Sequence, residues 1–185
     1  QRYKTSDGYI SRFTQNIPLI SDSYTLTNSY DYKIYNQWLD ENVLSIGFFG
    51  KSSNSLSGKD VKLSDRLYLP ASKLRGFESG KVGPKDGADY IGGNYAASIN
   101  IATSLVQILP NLQNTNFSIF FDVANVWGVD YSSSLSDESK IRSSFGIAVD
   151  FFTPVGPLNF SLSEPITKGK NDITESFRFN LGTTF

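Results

Sequence analysis

The chain has 185 residues, with 17 Lys and Arg against 18 Asp and Glu, so no charge excess recommends nucleic acid or an anionic membrane surface as a partner. Cysteine and histidine are both absent, which excludes a disulfide framework, a thiol nucleophile, a histidine-based triad and the commonest zinc and copper sites. Aromatics make up 14% of the chain, yet no run of about 18 apolar residues could cross a bilayer as a helix, so any crossing must be made by strands.

This length accommodates one domain, and nothing in it resembles an interdomain linker. Period-two alternation, which sets successive side chains on opposite faces, is the signal to follow along it. From Tyr9 to Leu19 the pattern is weak, because Ser11 and Gln15 interrupt the apolar set. From Tyr24 to Trp38 it is long and clear: Tyr24, Leu26, Tyr30, Tyr32, Ile34 and Trp38 share one face, and Thr25, Thr27, Ser29, Asp31 and Lys33 the other. A tilted strand crosses a bilayer in roughly 9–11 residues with aromatics at headgroup level near its ends, and this segment suffices. Leu44, Ile46 and Phe48 mark a third strand. Residues 57–93 are rich in Gly, Pro and Lys; a stretch this long without strand pattern reads as a functional loop.

The alternation then returns and sharpens. Tyr95, Ala97, Ile99, Ile101 and Leu105 are set against Ser98, Asn100, Ala102 and Ser104. Phe117, Ile119, Phe121 and Val123 alternate with Ser118, Phe120, Asp122 and Ala124, and Phe145, Ile147, Val149 and Phe151 with Ser144, Gly146, Ala148 and Asp150. Leu158, Phe160 and Leu162 make a seventh strand. In the last segment Phe177, Phe179, Leu181 and Phe185 face one way, and Arg178, Asn180, Gly182 and Thr184 the other. A soluble sandwich strand alternates in the same way, but the sum is eight long strands, with small and polar residues on one face and convincing helical periodicity nowhere. The fold class is all-β, an antiparallel sheet of transmembrane-barrel type. Connections such as Gln37 to Asn42 and Thr153 to Pro157 are short, and the long one falls on the opposite rim, as in outer-membrane barrels.

Within the long loop stand Leu74, Arg75, Gly76 and Phe77, then Gly83, Pro84 and Lys85, and finally Gly92, Gly93 and Asn94. Together with Phe121 to Gly128, the Pro154 to Leu158 corner and the aromatic ending, these motifs resemble the C-terminal half of the barrel in the BamA family of outer-membrane protein assembly factors, also called the bacterial surface antigen family. The resemblance runs from about Tyr9 to Phe185. It implies a sixteen-stranded barrel in the bacterial outer membrane, preceded by periplasmic POTRA domains, of which this chain holds the last eight strands. Gln1 follows no initiator Met or signal segment, which fits a mature product or an excised piece.

The resemblance further implies that the Arg-Gly-Phe loop folds back into the lumen and that its Arg pairs with acidic residues on the inner wall. The residues agree with that: Asp122 falls on the polar face of its strand, where it could accept a bidentate hydrogen bond from Arg75. Gly76 would permit a turn closed to other residues, and Phe77 would anchor the loop by burial. Taken alone, Arg75 could equally be a solvated loop residue. Some relatives place a second acid where this chain has Ala102, which leaves Arg75 with Asp122 as its expected partner. In the terminal strand, Phe177, Phe179, Leu181, Gly182 and Phe185 either close the barrel, since unpaired backbone is costly in lipid, or form a weak seam that a client strand can join by β-augmentation. Gly182 suits the weak seam.

The partners implied are the outer-membrane lipid bilayer, unfolded outer-membrane clients, and assembly-machine lipoproteins reached through the POTRA domains. No enzyme activity, cofactor, nucleotide or metal is expected. The acidic pairs Asp60 with Asp65 and Asp137 with Glu138 lie in loops rich in Ser and Lys, without a pocket-forming pattern, and residues 87–93 lack the strand-turn-helix setting of a phosphate loop. Two other functions fit part of the pattern: a two-partner secretion transporter that exports an unfolded polypeptide through its lumen, and an inert eight-stranded barrel closed on itself.

Overall fold

In the computed structural model, the described residues are 6–19, 24–39, 41–105, 108, 114–132, 135, 139–154 and 156–181. Ten strands follow one another: β1 (Gly8–Asn16), β2 (Thr25–Trp38), β3 (Asn42–Ser55), β4 (Lys85–Asp86), β5 (Asp89–Tyr90), β6 (Tyr95–Ser104), β7 (Thr115–Trp127), β8 (Arg142–Thr153), β9 (Gly156–Thr167) and β10 (Phe177–Leu181). Eight of them form one antiparallel meander in the order β1-β2-β3-β6-β7-β8-β9-β10, and β4 and β5 pair only with each other. The eight-stranded all-β architecture agrees with the alternation. Among the described residues β1 and β10 stand at opposite edges and do not pair, so the sheet is open rather than closed into a small barrel.

The strands form because every second side chain has a place to go. Along β7, Ser118, Phe120, Asp122, Ala124 and Val126 are buried, while Ile119 and Phe121 are exposed. Register lines up the exposed apolar residues across strands, with Ile101 opposite Phe121 and Phe121 opposite Phe145. One face is therefore a continuous apolar surface on which none of the described residues pack, as a lipid-facing wall requires. No helix of the described residues is long and apolar enough to cross a membrane.

The other face is covered by the connection between β3 and β6. Its Leu67, Leu69, Leu74, Phe77 and Val82 pack with Phe49, Ala96, Ala124 and Val126 of the sheet into one buried cluster. Each large side chain in such a cluster contributes roughly 1.5–3 kcal/mol by leaving water. That burial is why a segment with a single short 3-10 turn (Leu63–Asp65) and one two-residue hairpin is nonetheless fixed in place.

One boundary runs past the alternation. β3 continues past Phe48 to Ser55, because β2 pairs with it as far as Thr25 opposite Ser55, and because the polar end is hidden under the loop. There Ser53 is fully buried, its N–H donating to the Asn94 carbonyl and its hydroxyl to the Asp65 carbonyl. The last strand is described from Phe177 to Leu181, so the expectations for Gly182 and Phe185 lie outside the described residues, as do Asp137 and Glu138. β9 carries a bulge: Ser143 pairs with Thr167 and Ser144 with Pro165, leaving Ile166 as the extra residue beside a proline that has no N–H to give.

Candidate functional site

Asp122 is fully buried in the middle of β7, a placement that would be prohibitive for a carboxylate without compensation. Compensation comes from four N–H groups. Arg75 Nε donates to Oδ2 and Nη2 to Oδ1, each at 2.7 Å, and the Arg75 backbone N–H reaches Oδ2 at 3.1 Å. The fourth is Asn100 Nδ2, 2.8 Å from Oδ1. A guanidinium fork laid on both carboxylate oxygens is the geometry in which an ion pair outweighs its desolvation most effectively.

Register explains Asn100. It lies directly opposite Asp122 in the β6–β7 pairing, whereas Ala102 lies opposite Phe120. The place beside the carboxylate is thus taken by a neutral amide, which also donates to the Lys73 carbonyl of the loop at 2.9 Å. It supports Asp122 instead of competing for Arg75.

The guanidinium carbon of Arg75 lies 3.4 Å from the centre of the Phe120 ring, a stacked cation–π contact out of solvent. Phe120 can lie flat there because its neighbour in register is Gly146. A Cβ on Gly146 would come within 2.7 Å of the ring and 2.1 Å of the Leu162 carbonyl. Gly146, Phe120 and Arg75 therefore lie one upon another from wall to loop, and Asp122 takes the hydrogen-bonding edge of the same guanidinium.

The next two residues complete the turn. Gly76 has φ +87, a left-handed conformation, and a Cβ there would press on Ser144 at 3.2 Å. The Ser144 hydroxyl donates to the Arg75 carbonyl, and Phe77 is 1% exposed, inside the buried cluster. The structure brings Arg75, Gly76, Phe77 and Asp122 together. It places Phe177, Phe179 and Leu181 elsewhere, on the uncovered face at the sheet edge, with at least half of each side chain exposed.

Two further clamps hold the rest of the loop. Arg142 donates from Nε and Nη2 to Asp172 at 2.8 and 3.2 Å, and from Nη1 to Asn125 at 2.6 Å. Asp172 in turn accepts the backbone N–H of Gly83 at 3.2 Å and that of Gly169. This joins the loop, the β9–β10 connection and the ends of β7 and β8. Arg66 pairs with Asp130, donates to Asn94 and the Val61 carbonyl, and lies over the Tyr131 ring. Partial burial pushes the Asp130 carboxyl upward, but the Val61 N–H, the Asn94 amide and the Arg66 guanidinium outweigh it and hold it below the ordinary carboxylate value. Neither clamp is evident from the chain, since Arg142 stands at a strand end and Asp130 and Asp172 in turn-rich stretches. Of the discounted acids, Asp65 accepts from the Thr25 hydroxyl at 2.8 Å, a structural role. Among the described residues no group of three or more His, Cys, Asp or Glu could hold a metal ion.

The arrangement can hold a loop rigidly against a wall. Residues 1–185 match the family model described as the Omp85 superfamily domain. The outer membrane protein assembly factor BamA of Neisseria meningitidis is 31% identical over 157 residues, covering 69% of this chain and 19% of that protein. The sorting assembly machinery 50 kDa subunit of Saccharomyces cerevisiae is 31% identical over 147 residues, covering 73% of this chain and 30% of that one. The crystal structure of BamA from Haemophilus ducreyi lacking POTRA domains 1–3 superposes with a TM-score of 0.82 at 26% identity, over 97% of this chain and 39% of that chain. The chain spans about a fifth of the length of its bacterial relatives.

Proposed function

Because this chain belongs to the Omp85 superfamily, we propose that it is the C-terminal part of the barrel of a BamA-type assembly factor, and that it promotes folding and insertion of other β-barrel proteins into the bacterial outer membrane. The observation that carries this is the buried clamp of Arg75 on Asp122, which fixes the Arg-Gly-Phe loop to the covered face while the opposite face stays apolar for lipid. Such a protein does its work by lowering a kinetic barrier, without covalent chemistry, cofactor or metal. A sheet held rigid from inside offers a firm edge on which a client strand can be paired and passed to the bilayer. Its clients are unfolded outer-membrane proteins, and accessory lipoproteins reach it through upstream POTRA domains.

The test is the folding rate of a urea-unfolded porin into liposomes with and without this protein joined to its native upstream region. Acceleration by the wild type, largely lost in Arg75→Ala, is the expected outcome. Equal rates with and without the wild-type protein would sink the proposal.

A further inference from the structure

The terminal strand changes partner partway along its course. From Phe177 to Leu181 it pairs with β9, whereas the residues just before it pair with the loop instead. Phe77 bridges Thr174, the Glu175 N–H donates to the Gly76 carbonyl at 3.0 Å, Glu78 N–H to the Ile173 carbonyl at 2.9 Å, and Ile173 N–H to the Lys81 carbonyl at 3.1 Å. The segment 173–181 is thus laid first on the loop and, past a bend at Ser176, on the sheet.

Arg178 sits just past the change. Its side chain is on the covered face and 8% exposed. It donates from Nη1 to the Ala71 carbonyl at 2.8 Å, from Nη2 to the Phe77 carbonyl, and from Nε and Nη2 to the Glu175 carboxylate at 2.9 and 2.7 Å. The β9–β10 pair supplies little on that face itself: Asn159 Oδ1, Ser161 Oγ and Asn180 Nδ2 are buried there without hydrogen-bond partners. The strand of 5 described residues is held to β9 by its backbone pairing and by the Phe160 ring against Phe177 and Phe179, and on the covered face the guanidinium supplies the side-chain hydrogen bonds.

We infer that Arg178 is a positioning residue that binds the terminal strand to the loop, so that residues 173–181 and 71–81 open and close as one body. The pairing state of the terminal strand is then set by whether the loop is seated. This deepens the assembly-factor reading and rests on it for its functional meaning, although the coupling itself is a property of the fold.

Hydrogen exchange on the protein joined to its upstream region, in lipid nanodiscs, tests it. Arg178→Gln is expected to raise exchange in 74–81 and in 173–181 together, by about tenfold, while β6 and β7 stay unchanged. Arg178→Lys, which keeps the charge and one or two of the donors, is expected to recover part of the protection. Asp122→Ala removes a carboxylate that among the described residues bonds to Arg75 and Asn100, and it is expected to raise exchange in β10 as well, at a distance. Loosening of β10 alone in Arg178→Gln, or an unchanged β10 in Asp122→Ala, would overturn the inference; should Arg178→Gln not assemble, the Asp122→Ala and Arg178→Lys arms decide. Porin folding measured on the same samples separates the two claims. Coupled exchange with no acceleration by the wild type removes the assembly reading and leaves the coupling, and acceleration with uncoupled exchange does the reverse.

Discussion

Toward β7 and β8 the loop meets charged groups almost wholly withdrawn from water. The Arg75 and Asp122 side chains are 7% and 0% exposed, and those of Arg142 and Asp172 3% and 1%. Toward β2 its ion pair is Lys73 with Asp31, at 25% and 38%. Both flanks carry an acid and a base at about 2.7 Å, yet they are not equivalent. Removing one member of a buried pair strands the other without solvent, whereas an exposed pair hands its partner back to water. The loop is therefore anchored on the C-terminal flank and merely steered on the other.

Breaking the anchored flank should have the largest effect. Asp122→Ala leaves Arg75 buried against Phe120 with no counter-charge and is expected to destabilise the seated loop by roughly 3–5 kcal/mol, read as protease cleavage within residues 66–82 in liposomes. The double variant Arg75→Met with Asp122→Leu sharpens the point, since it should regain much of that protease resistance without restoring assembly activity. On the steered flank, Lys73→Ala or Asp31→Ala should cost about 0–1 kcal/mol and leave the cleavage pattern nearly unchanged. A loss there as large as that of Asp122→Ala would erase the distinction between the flanks.

The smallest effect concerns the outer end of the loop. Since the Asp130 carboxyl is held below its ordinary value when folded, the stability it contributes is present above about pH 4 and is lost as the pH falls through the lower folded value. Cleavage near Val61 and Arg66 should therefore rise on acidification.

Much of this was legible in the chain because period-two alternation reports which face is covered without saying by what. Asp122 could be placed on the polar face of β7 for that reason, and Arg75 joined to it on the strength of family motifs. Asn100 shows where such reading stops. Its face was evident, but its place beside Asp122 depends on the β6–β7 register, which no local pattern encodes. Arg142 and Asp172 meet only because two connections fold toward each other, and neither strand alternation nor turn chemistry predicts that.

The link from Arg178 to the Ala71 carbonyl spans 107 residues of chain. Closure over such a separation costs an entropy that grows only slowly with length, yet that entropy must be surrendered before the contact returns energy. The bonds from Arg178 to the loop therefore form only once the terminal strand is in place, and they add a long-range lock to a seat that Asp122, Asp172 and the buried cluster already provide.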